Sequence, residues 1–261
     1  MDIKFSLNAF HLKVIAMIFM FIDHFGVMVL NPMIFPWSLG WYIPARIAGR
    51  IAFPIFAFLV VEAVLHTRNI SRYWLRLSLM AVSIGIAMWL LTTQFNIVLF
   101  SGNIFIDLLL GSIVIYGLNK PQNKIFFVLI LPIYLLVENF LPSFFQADYG
   151  TYGWFLMIIY WFARQLALRY DFFNLPKNIS SSMIAAFILF GFHAIWFFAS
   201  VNASIDPPIQ SFALLAAPMI GFYNGLPGHQ SQAFKIFSYG FYPLHFGVIY
   251  VILIGLMYFG F

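Results

Sequence analysis

The sequence predicts an all-α polytopic membrane bundle with about nine transmembrane helices, in a single domain over residues 1–261. The first observation is composition: 63% of the residues are hydrophobic and 8% are charged, whereas soluble domains carry about 25% charged residues. The second is a series of apolar runs that approach the roughly 20 residues a spanning helix needs. The third is that lysines and arginines collect at alternate connections between these runs, as membrane topology requires.

Nine apolar segments are long enough, or nearly so, to be transmembrane helices, and the connections between them contain proline and glycine. Their cores are 12–30, 47–65, 74–92, 101–118, 124–141, 152–168, 182–200, 209–223 and 238–258. The fourth and eighth segments are short or interrupted, so eight or ten spans are alternatives.

The distribution of basic residues predicts the orientation, because lysine and arginine favour cytoplasmic loops. With the N-terminus inside, the basic connections all face the cytoplasm: Lys4, Lys13, Arg68, Arg72, Arg76, Lys120, Lys124, Arg164, Arg169, Lys177 and Lys235. The connections around 92–96, 146–150 and 202–206 contain neither lysine nor arginine. We therefore expect a multi-pass protein of the cell inner membrane, with a cytoplasmic N-terminus and an extracytoplasmic C-terminus.

Composition also argues against several kinds of site. The chain has no cysteine, which excludes a cysteine nucleophile, a thiolate metal site and a disulfide. It contains no H-E-x-x-H zinc motif, Walker loop or Rossmann fingerprint, so we expect no metal. The net charge of +5 comes from residues at helix ends, and we expect the lipid bilayer, not nucleic acid, as a partner.

Asp23 and His24 interrupt the first apolar run. An ionisable group at membrane depth costs roughly 2.5–3.5 kcal/mol on insertion scales, which makes such groups the default functional candidates. Histidine is the most frequent general base, and its orienting carboxylate is Asp23, Glu62 or Asp107. The alternative for His24 is a structural histidine that is hydrogen-bonded within the bundle.

Arg46 and Arg50 are four residues apart, which places them on one face of a helix. Two guanidiniums together suit a phosphate or a carboxylate. They fall at the expected outer end of the second span, against the charge rule, and the alternative role is snorkelling toward lipid headgroups. Pro54 predicts a kink one turn later.

Three further groups carry polar chemistry. Glu62 and His66 form an i,i+4 pair nearer the cytoplasm, and His245 follows a proline in the last apolar run; the alternative for His245 is a bundle hydrogen bond. Asn103 and Asp107 form a further i,i+4 pair. A buried aspartate needs a partner, and we expect that partner to be one of the two arginines of the second span.

The connection after the second span is basic. Arg68, Arg72 and Arg76 recur every four residues, with Tyr73 and Trp74 beside them. Guanidiniums bind phosphates and an aromatic ring stacks on a base, so the pattern suits a nucleotide-bearing donor from the cytosol. The alternative is a loop that only sets topology.

Several of these residues lie in segments long enough to be characteristic of a family. The segments are Asp23-His24-Phe25-Gly26, Arg46-Ile47-Ala48-Gly49-Arg50-Ile51-Ala52-Phe53-Pro54-Ile55-Phe56-Ala57-Phe58 with Glu62, His66-Thr67-Arg68-Asn69, and Phe241-Tyr242-Pro243-Leu244-His245. They resemble the TraX family, densely in the N-terminal third and moderately in the last helix. TraX proteins are membrane proteins named for N-terminal acetylation of conjugative pilin, and they look like distant relatives of type 3 membrane acyltransferases.

The resemblance implies an acetyltransferase that uses acetyl-CoA as the donor and an unknown peptide or glycan as the acceptor. The expected catalytic residues are His24, Asp23, Glu62 and His245. The expected substrate- or anion-binding residues are Arg46, Arg50, Asn103 and Asp107, and the expected CoA-binding residues are His66, Arg68, Arg72 and Arg76. The competing hypotheses are a transporter of a small anion, since intramembrane charges also mark substrate paths, and a non-catalytic scaffold.

Overall fold

A computed structural model of the chain describes residues 6–95, 102–120, 132–133, 136, 140, 145–170, 174–202 and 208–259. The described helices are α1 Ala9–Met28, α2 Leu39–Gly49, α3 Ala52–His66, α4 Ile70–Phe95, α5 Ile104–Asn119, α6 Gly150–Arg169, α7 Lys177–Asn202, α8 Ala217–Gly221 and α9 Gln232–Tyr258, with 3-10 turns at Pro36–Ser38 and Ile209–Ala216. An isolated parallel bridge joins Leu7 to Tyr223. The predicted all-α class is confirmed over these ranges.

Five helical stretches are long and apolar enough to cross a membrane, so the chain is a multi-pass helical protein. They are Ala9–Met28, Gly40–His66, Ile70–Leu90, Lys177–Val201 and Gln232–Tyr258. Ile104–Asn119 and Ile209–Gly221 are apolar but shorter, and α6, predicted as a span, is not among the five. The predicted span 124–141 lies outside the described residues except for 132–133, 136 and 140. Nine spans are not confirmed, and the orientation of the termini stays a prediction.

The second span begins earlier than predicted and is broken. Its apolar stretch runs from Gly40 to His66, and the helix is interrupted at 50–51 between α2 and α3. Pro54 has no N–H to donate to the Arg50 carbonyl, so the break lies one turn before the proline. Arg46 and Arg50 therefore lie inside this stretch, and the expectation that they mark its outer end is wrong.

The chain divides into two compact units. The first comprises Met1–Phe56 and Phe162–Phe261, and the second comprises Ala57–Trp161. The expectation of one domain over 1–261 stays a prediction. The predicted site residues divide between these units, so each unit is described by itself below.

Two glycines let α1 and α2 pack closely in the first unit. A Cβ at Gly26 would lie 3.0 Å from the Cβ of Ala45, which is tighter than ordinary van der Waals contact. A Cβ at Gly49 would collide with the side chain of Asp23. These positions explain how a short aspartate on α1 reaches the backbone and side chains of α2.

The start of the chain is tied to the segment that leads into α9. The Leu7 N–H donates to the Phe222 carbonyl at 2.8 Å, and the Ala9 N–H donates to the Leu226 carbonyl at 2.9 Å. Asn8 caps α1 by accepting from the His11 N–H at 3.0 Å, which satisfies one of the donors left open at a helix start. These bonds fix α1 beside α9, where the two helices carry the predicted base candidates.

Candidate functional site

Asp23 on α1 lies between the two arginines of α2. Arg46 Nη1 donates to Asp23 Oδ1 at 2.6 Å, and Arg50 Nη2 donates to Asp23 Oδ2 at 2.5 Å. The i,i+4 spacing brings both guanidiniums to one carboxylate, which confirms the predicted shared face. With one carboxylate and two cations, this group carries one net positive charge, a balance that suits a bound anion.

The two arginines differ in how fully they are used. Arg50 also donates from Nη1 to Gln210 Oε1 at 3.1 Å and from Nε to the Arg46 carbonyl at 3.3 Å. Among the described residues, the Arg46 side chain bonds only to Asp23, and it is more exposed than Arg50, at 21% against 11%. A guanidinium has five N–H donors, so Arg46 keeps capacity for a ligand.

Gln210 is a site residue that the sequence reasoning missed. It lies in the 3-10 turn Ile209–Ala216 and holds Arg50 through its amide oxygen. Its signal in the sequence is a lone amide at the start of an otherwise apolar segment. Two prolines, Pro207 and Pro208, separate it from Asp206 four positions earlier, so the spacing does not predict a shared helix face, which is the pattern that marks the other polar residues.

His24 and His245 form a pair of imidazoles. His24 Nδ1 lies 2.6 Å from His245 Nε2, although the two residues are 221 positions apart. His245 Nδ1 lies 2.9 Å from the Phe241 carbonyl. The ring centroids are 4.9 Å apart and the ring planes differ by 18°, so the two rings lie nearly coplanar, as a hydrogen bond between ring nitrogens requires. The partner of the His24 ring is thus a second histidine, and Asp23 is bound to the arginines instead.

We call Asp23, His24, Arg46, Arg50, Gln210 and His245 the polar cluster; all six belong to the first unit. His245 is 2% exposed and Asp23 is 7% exposed, whereas His24 is half-buried. The cluster combines a pair of imidazoles, whose ring nitrogens can donate or accept a proton, with a net positive charge. In the described part of the chain, no group of three or more His, Asp or Glu residues is placed to hold a metal ion.

Asp107 has a different environment, in the second unit. Its carboxylate accepts from the backbone N–H groups of Asp148 at 2.7 Å, Tyr149 at 3.2 Å and Gly150 at 2.9 Å. The expectation of an arginine partner is wrong, because these donors come from the loop that begins α6. A carboxylate at a helix start also interacts favourably with the helix dipole, so Asp107 anchors this helix.

Asn103 is fully buried, and both the oxygen and the nitrogen of its side-chain amide are hydrogen-bonded to backbone groups. Its Oδ1 accepts from the Phe105 N–H at 3.1 Å, which caps α5, and its Nδ2 donates to the Ala81 carbonyl of α4 at 2.8 Å. These bonds attach the start of α5 to α4. Asn103 and Asp107, predicted to bind an anion together, therefore both hold backbone in this structure.

Glu62 and His66 lie at the end of α3, as the i,i+4 spacing predicts. His66 Nδ1 lies 2.8 Å from the Glu62 carbonyl and 3.8 Å from its carboxylate Oε2. The Glu62 side chain is 10% exposed and that of His66 is 59% exposed. The pair thus joins a buried acid to a histidine that is open to solvent.

Arg68, Arg72 and Arg76 are exposed at the start of α4. Asn69 Oδ1 accepts from the backbone N–H of Arg72 at 3.0 Å, which satisfies one of the donors left open at the start of α4. Tyr73 is buried, and the Trp74 ring packs edge-on against Tyr116 with centroids 5.3 Å apart. The cations of the predicted CoA site are therefore at the surface, while the neighbouring aromatic rings pack within the unit.

Comparison with known proteins supports the resemblance seen in the sequence. The sequence model of the family described as "TraX protein" matches residues 9–253. A protein of Dichelobacter nodosus named "Probable fimbrial assembly protein FimC, serogroup H1" is 36% identical over 78 residues, which make up 30% of this chain and 30% of that protein. No solved structure matches the chain.

Proposed function

Because the chain belongs to the TraX protein family, we propose that it is a membrane-embedded acetyltransferase that moves an acetyl group from cytosolic acetyl-CoA to an amine or a hydroxyl. The acceptor is a pilin-like peptide N-terminus or an envelope saccharide. The name of the Dichelobacter relative refers to fimbrial assembly, which favours the peptide. The observation that carries the proposal is the polar cluster, in which an imidazole pair lies beside a net positive charge.

Acetyl transfer needs a base and a group that stabilises negative charge, and the cluster supplies both. The acceptor nitrogen or oxygen attacks the thioester carbonyl carbon, and its proton passes to an imidazole of the His24–His245 pair. The negative charge that develops on the carbonyl oxygen is stabilised by a cationic N–H donor, which we assign to Arg46. The C–S bond then breaks, the acetyl group stays on the acceptor, and the CoA thiolate leaves and takes up the proton.

Arg50 and Asp23 have a supporting role in this proposal. Asp23 bonds both guanidiniums and Arg50 is further held by Gln210, so the position of Arg46 is set before a ligand arrives. Donors that are fixed in advance stabilise a developing charge without reorganising. For the donor substrate, the exposed Arg68, Arg72 and Arg76 with His66 bind the CoA phosphates from the cytoplasm.

The proposal is tested with purified protein in detergent, by following release of the CoA thiol from acetyl-CoA when a pilin N-terminal peptide or a saccharide is added. His24→Ala should slow transfer by about 10²–10⁴-fold, the usual contribution of a general base, and should leave acetyl-CoA binding intact. The matched control is His193→Gln, because His193 is a fully buried histidine on α7 outside the polar cluster.

The control should transfer acetyl at the wild-type rate. If the protein neither binds nor consumes acetyl-CoA, but carries a small anion across liposome membranes, the acetyltransferase proposal fails and the transporter hypothesis replaces it. Near-normal transfer by a folded His24→Ala variant would show that His24 is not the general base.

A further inference from the structure

We infer that His24 is the base of the imidazole pair, that its Nε2 atom accepts the proton, and that His245 is a positioning residue that fixes the tautomer of His24. This inference rests on the proposed function for its chemistry, but its structural part is independent of it. It assigns different roles to two histidines that the sequence offers as equivalent candidates.

The backbone of α9 fixes the tautomer of His245. His245 Nδ1 lies 2.9 Å from the Phe241 carbonyl, and a carbonyl oxygen only accepts hydrogen bonds. Nδ1 of His245 must therefore carry the proton. A neutral imidazole has one N–H, so Nε2 of His245 is unprotonated and acts as an acceptor.

The short contact between the two rings then determines the tautomer of His24. His245 Nε2 lies 2.6 Å from His24 Nδ1, and one of these two nitrogens must supply the hydrogen. Since Nε2 of His245 has none, Nδ1 of His24 donates. The lone pair of His24 is then on Nε2, and this atom is the one that takes a proton from an acceptor.

Burial gives the two rings the same assignment. His245 is 2% exposed, and both of its ring nitrogens are hydrogen-bonded, to Phe241 and to His24. His24 is half-buried, so it is the more accessible of the two to an acceptor. When His24 takes up a proton at Nε2, its Nδ1–H becomes a charged donor and the bond to His245 strengthens, while His245 keeps its own proton.

Aromatic neighbours hold this arrangement in place. Phe241 stacks on His245 with centroids 5.2 Å apart and 12° between the ring planes, and Phe246 lies 4.6 Å from the centroid of His24. A group that orients a base through its second nitrogen is usually a carboxylate or a carbonyl. Here the orienting group for His24 is the neutral imidazole of His245, which is itself oriented by its hydrogen bond to the Phe241 carbonyl.

The structural part is tested by ¹⁵N NMR of histidine-labelled full-length protein, which distinguishes protonated from unprotonated ring nitrogens. The signals of His24 and His245 are assigned from the spectra of variants that lack each residue. We expect N–H at Nδ1 of both rings and a lone pair at Nε2 of both. His245→Leu should remove the fixed tautomer of His24, and His193→Gln should leave it unchanged, although His193 makes the same kind of bond to the Leu189 carbonyl at 2.8 Å.

The chemical part is tested with amide replacements. A glutamine amide reaches approximately the position of Nε2, and an asparagine amide reaches approximately that of Nδ1. His245→Gln can therefore present an oxygen to the His24 Nδ1–H, and should retain transfer, whereas His245→Asn loses that acceptor. We expect His245→Asn to fall about 10–100-fold, the range for loss of an orienting partner, and His24→Gln and His24→Asn to fall about 10²–10⁴-fold.

The outcomes separate the inference from the proposed function. A proton on Nε2 of His24 in the wild-type spectrum overturns the tautomer assignment, whatever the activity. Inactive His245→Gln together with active His24→Asn reverses the two roles. If the spectrum is as expected but the wild-type protein transfers no acetyl group, the proposed function fails, the assignment of Nε2 of His24 as a base fails with it, and the tautomer assignment stands.

Discussion

Asp23 in the first unit and Asp107 in the second are both buried carboxylates on apolar helices, and their partners differ in kind. Asp23 is bonded by two guanidiniums from α2. Asp107 is bonded by three backbone N–H groups from the loop that begins α6. The two residues solve the same problem, a carboxylate away from water, with side chains in one unit and with backbone in the other.

The difference separates a site from a structural anchor. A backbone N–H has one hydrogen, and once it bonds to Asp107 it has nothing left for a ligand. A guanidinium has five N–H donors, so Arg46 can bind Asp23 and a further anion together. A buried acid paired with arginine side chains thus retains donors for chemistry, whereas one enclosed by backbone does not.

The largest effect that would sharpen this comparison is on folding. Asp107→Ala leaves three part-buried N–H groups without their acceptor. A buried N–H without a partner costs about 1–3 kcal/mol, and these are only part-buried, so we expect the free energy of unfolding to fall by about 3 kcal/mol, the low end of the sum. The measurement is thermal or denaturant unfolding in detergent. Asp107→Asn keeps one acceptor oxygen and should lose less; an unchanged midpoint for Asp107→Ala would show that Asp107 is not an anchor.

A second test concerns rescue. Asp23→Ala leaves two half-buried guanidiniums with no carboxylate. Breaking a fully buried pair in this way costs about 3–5 kcal/mol, so we expect a loss of up to this size. Adding Arg50→Met removes one of the uncompensated charges and should recover part of that stability, without recovering transfer. Asp107→Ala has no such second-site rescue, because only proline lacks a backbone N–H and one replacement would remove one of the three donors.

The double substitution is analysed as a double-mutant cycle from unfolding curves. Residues in contact couple by about 0.5–3 kcal/mol, and we expect a coupling in this range between Asp23 and Arg50. Strictly additive losses would mean that the bond between them contributes nothing to stability. The comparison between the two acids would then rest on geometry alone.

The smallest expected effect is on CoA binding by Arg68 and Arg72, which are exposed, in contrast to the half-buried Arg46 and Arg50. Replacing Arg68 and Arg72 with glutamine should weaken acetyl-CoA binding by roughly 0.2–1 kcal/mol per residue, as for exposed ion pairs. The same replacement should weaken binding of dephospho-CoA less, because that ligand lacks one of the phosphates that the arginines would bind. High salt should also weaken wild-type binding, since exposed charges are screened over about 8–10 Å.

The measurement is titration of CoA and dephospho-CoA at two salt concentrations. Equal losses for the two ligands, with no effect of salt, would place the phosphate site elsewhere. Lys235→Gln is a suitable control, because Lys235 is an exposed cation outside the predicted CoA-binding residues. It should leave the salt dependence of binding unchanged.

The helical class was predictable because long apolar runs and alternating basic connections are properties of the sequence alone. The five spans were predicted with shifted bounds, since a hydropathy run does not show where the backbone breaks. The interruption at Arg50 is an example: Pro54 is evident in the sequence, but the carbonyl that it leaves without a donor lies one turn earlier. The count of nine required α6 to be as apolar as its neighbours, and it is not among the spans.

Site residues were predictable where they repeat at i,i+4, as in Arg46 and Arg50. Their partners were not, because a single sequence contains no distances. The pairing of His24 with His245 joins positions 221 apart, and the prolines before Gln210 keep it from being read as part of a helical i,i+4 pair. The partners of Asp107 were missed for another reason: backbone N–H groups are present at every residue, so no sequence pattern points to them.

The contacts of the polar cluster become possible at different times during synthesis of the chain. Asp23 is separated from Arg46 by 23 residues and from Arg50 by 27, so at about 5–20 residues per second the acid and its cations emerge within seconds of one another. The first hairpin can neutralise its own carboxylate while most of the chain is still unmade. The imidazole pair cannot form until α9 has been synthesised. The bonds from Leu7 and Ala9 need Phe222 and Leu226, which come shortly before α9. A nascent chain that stops before α9 therefore has Asp23 paired with its two arginines but lacks the imidazole pair.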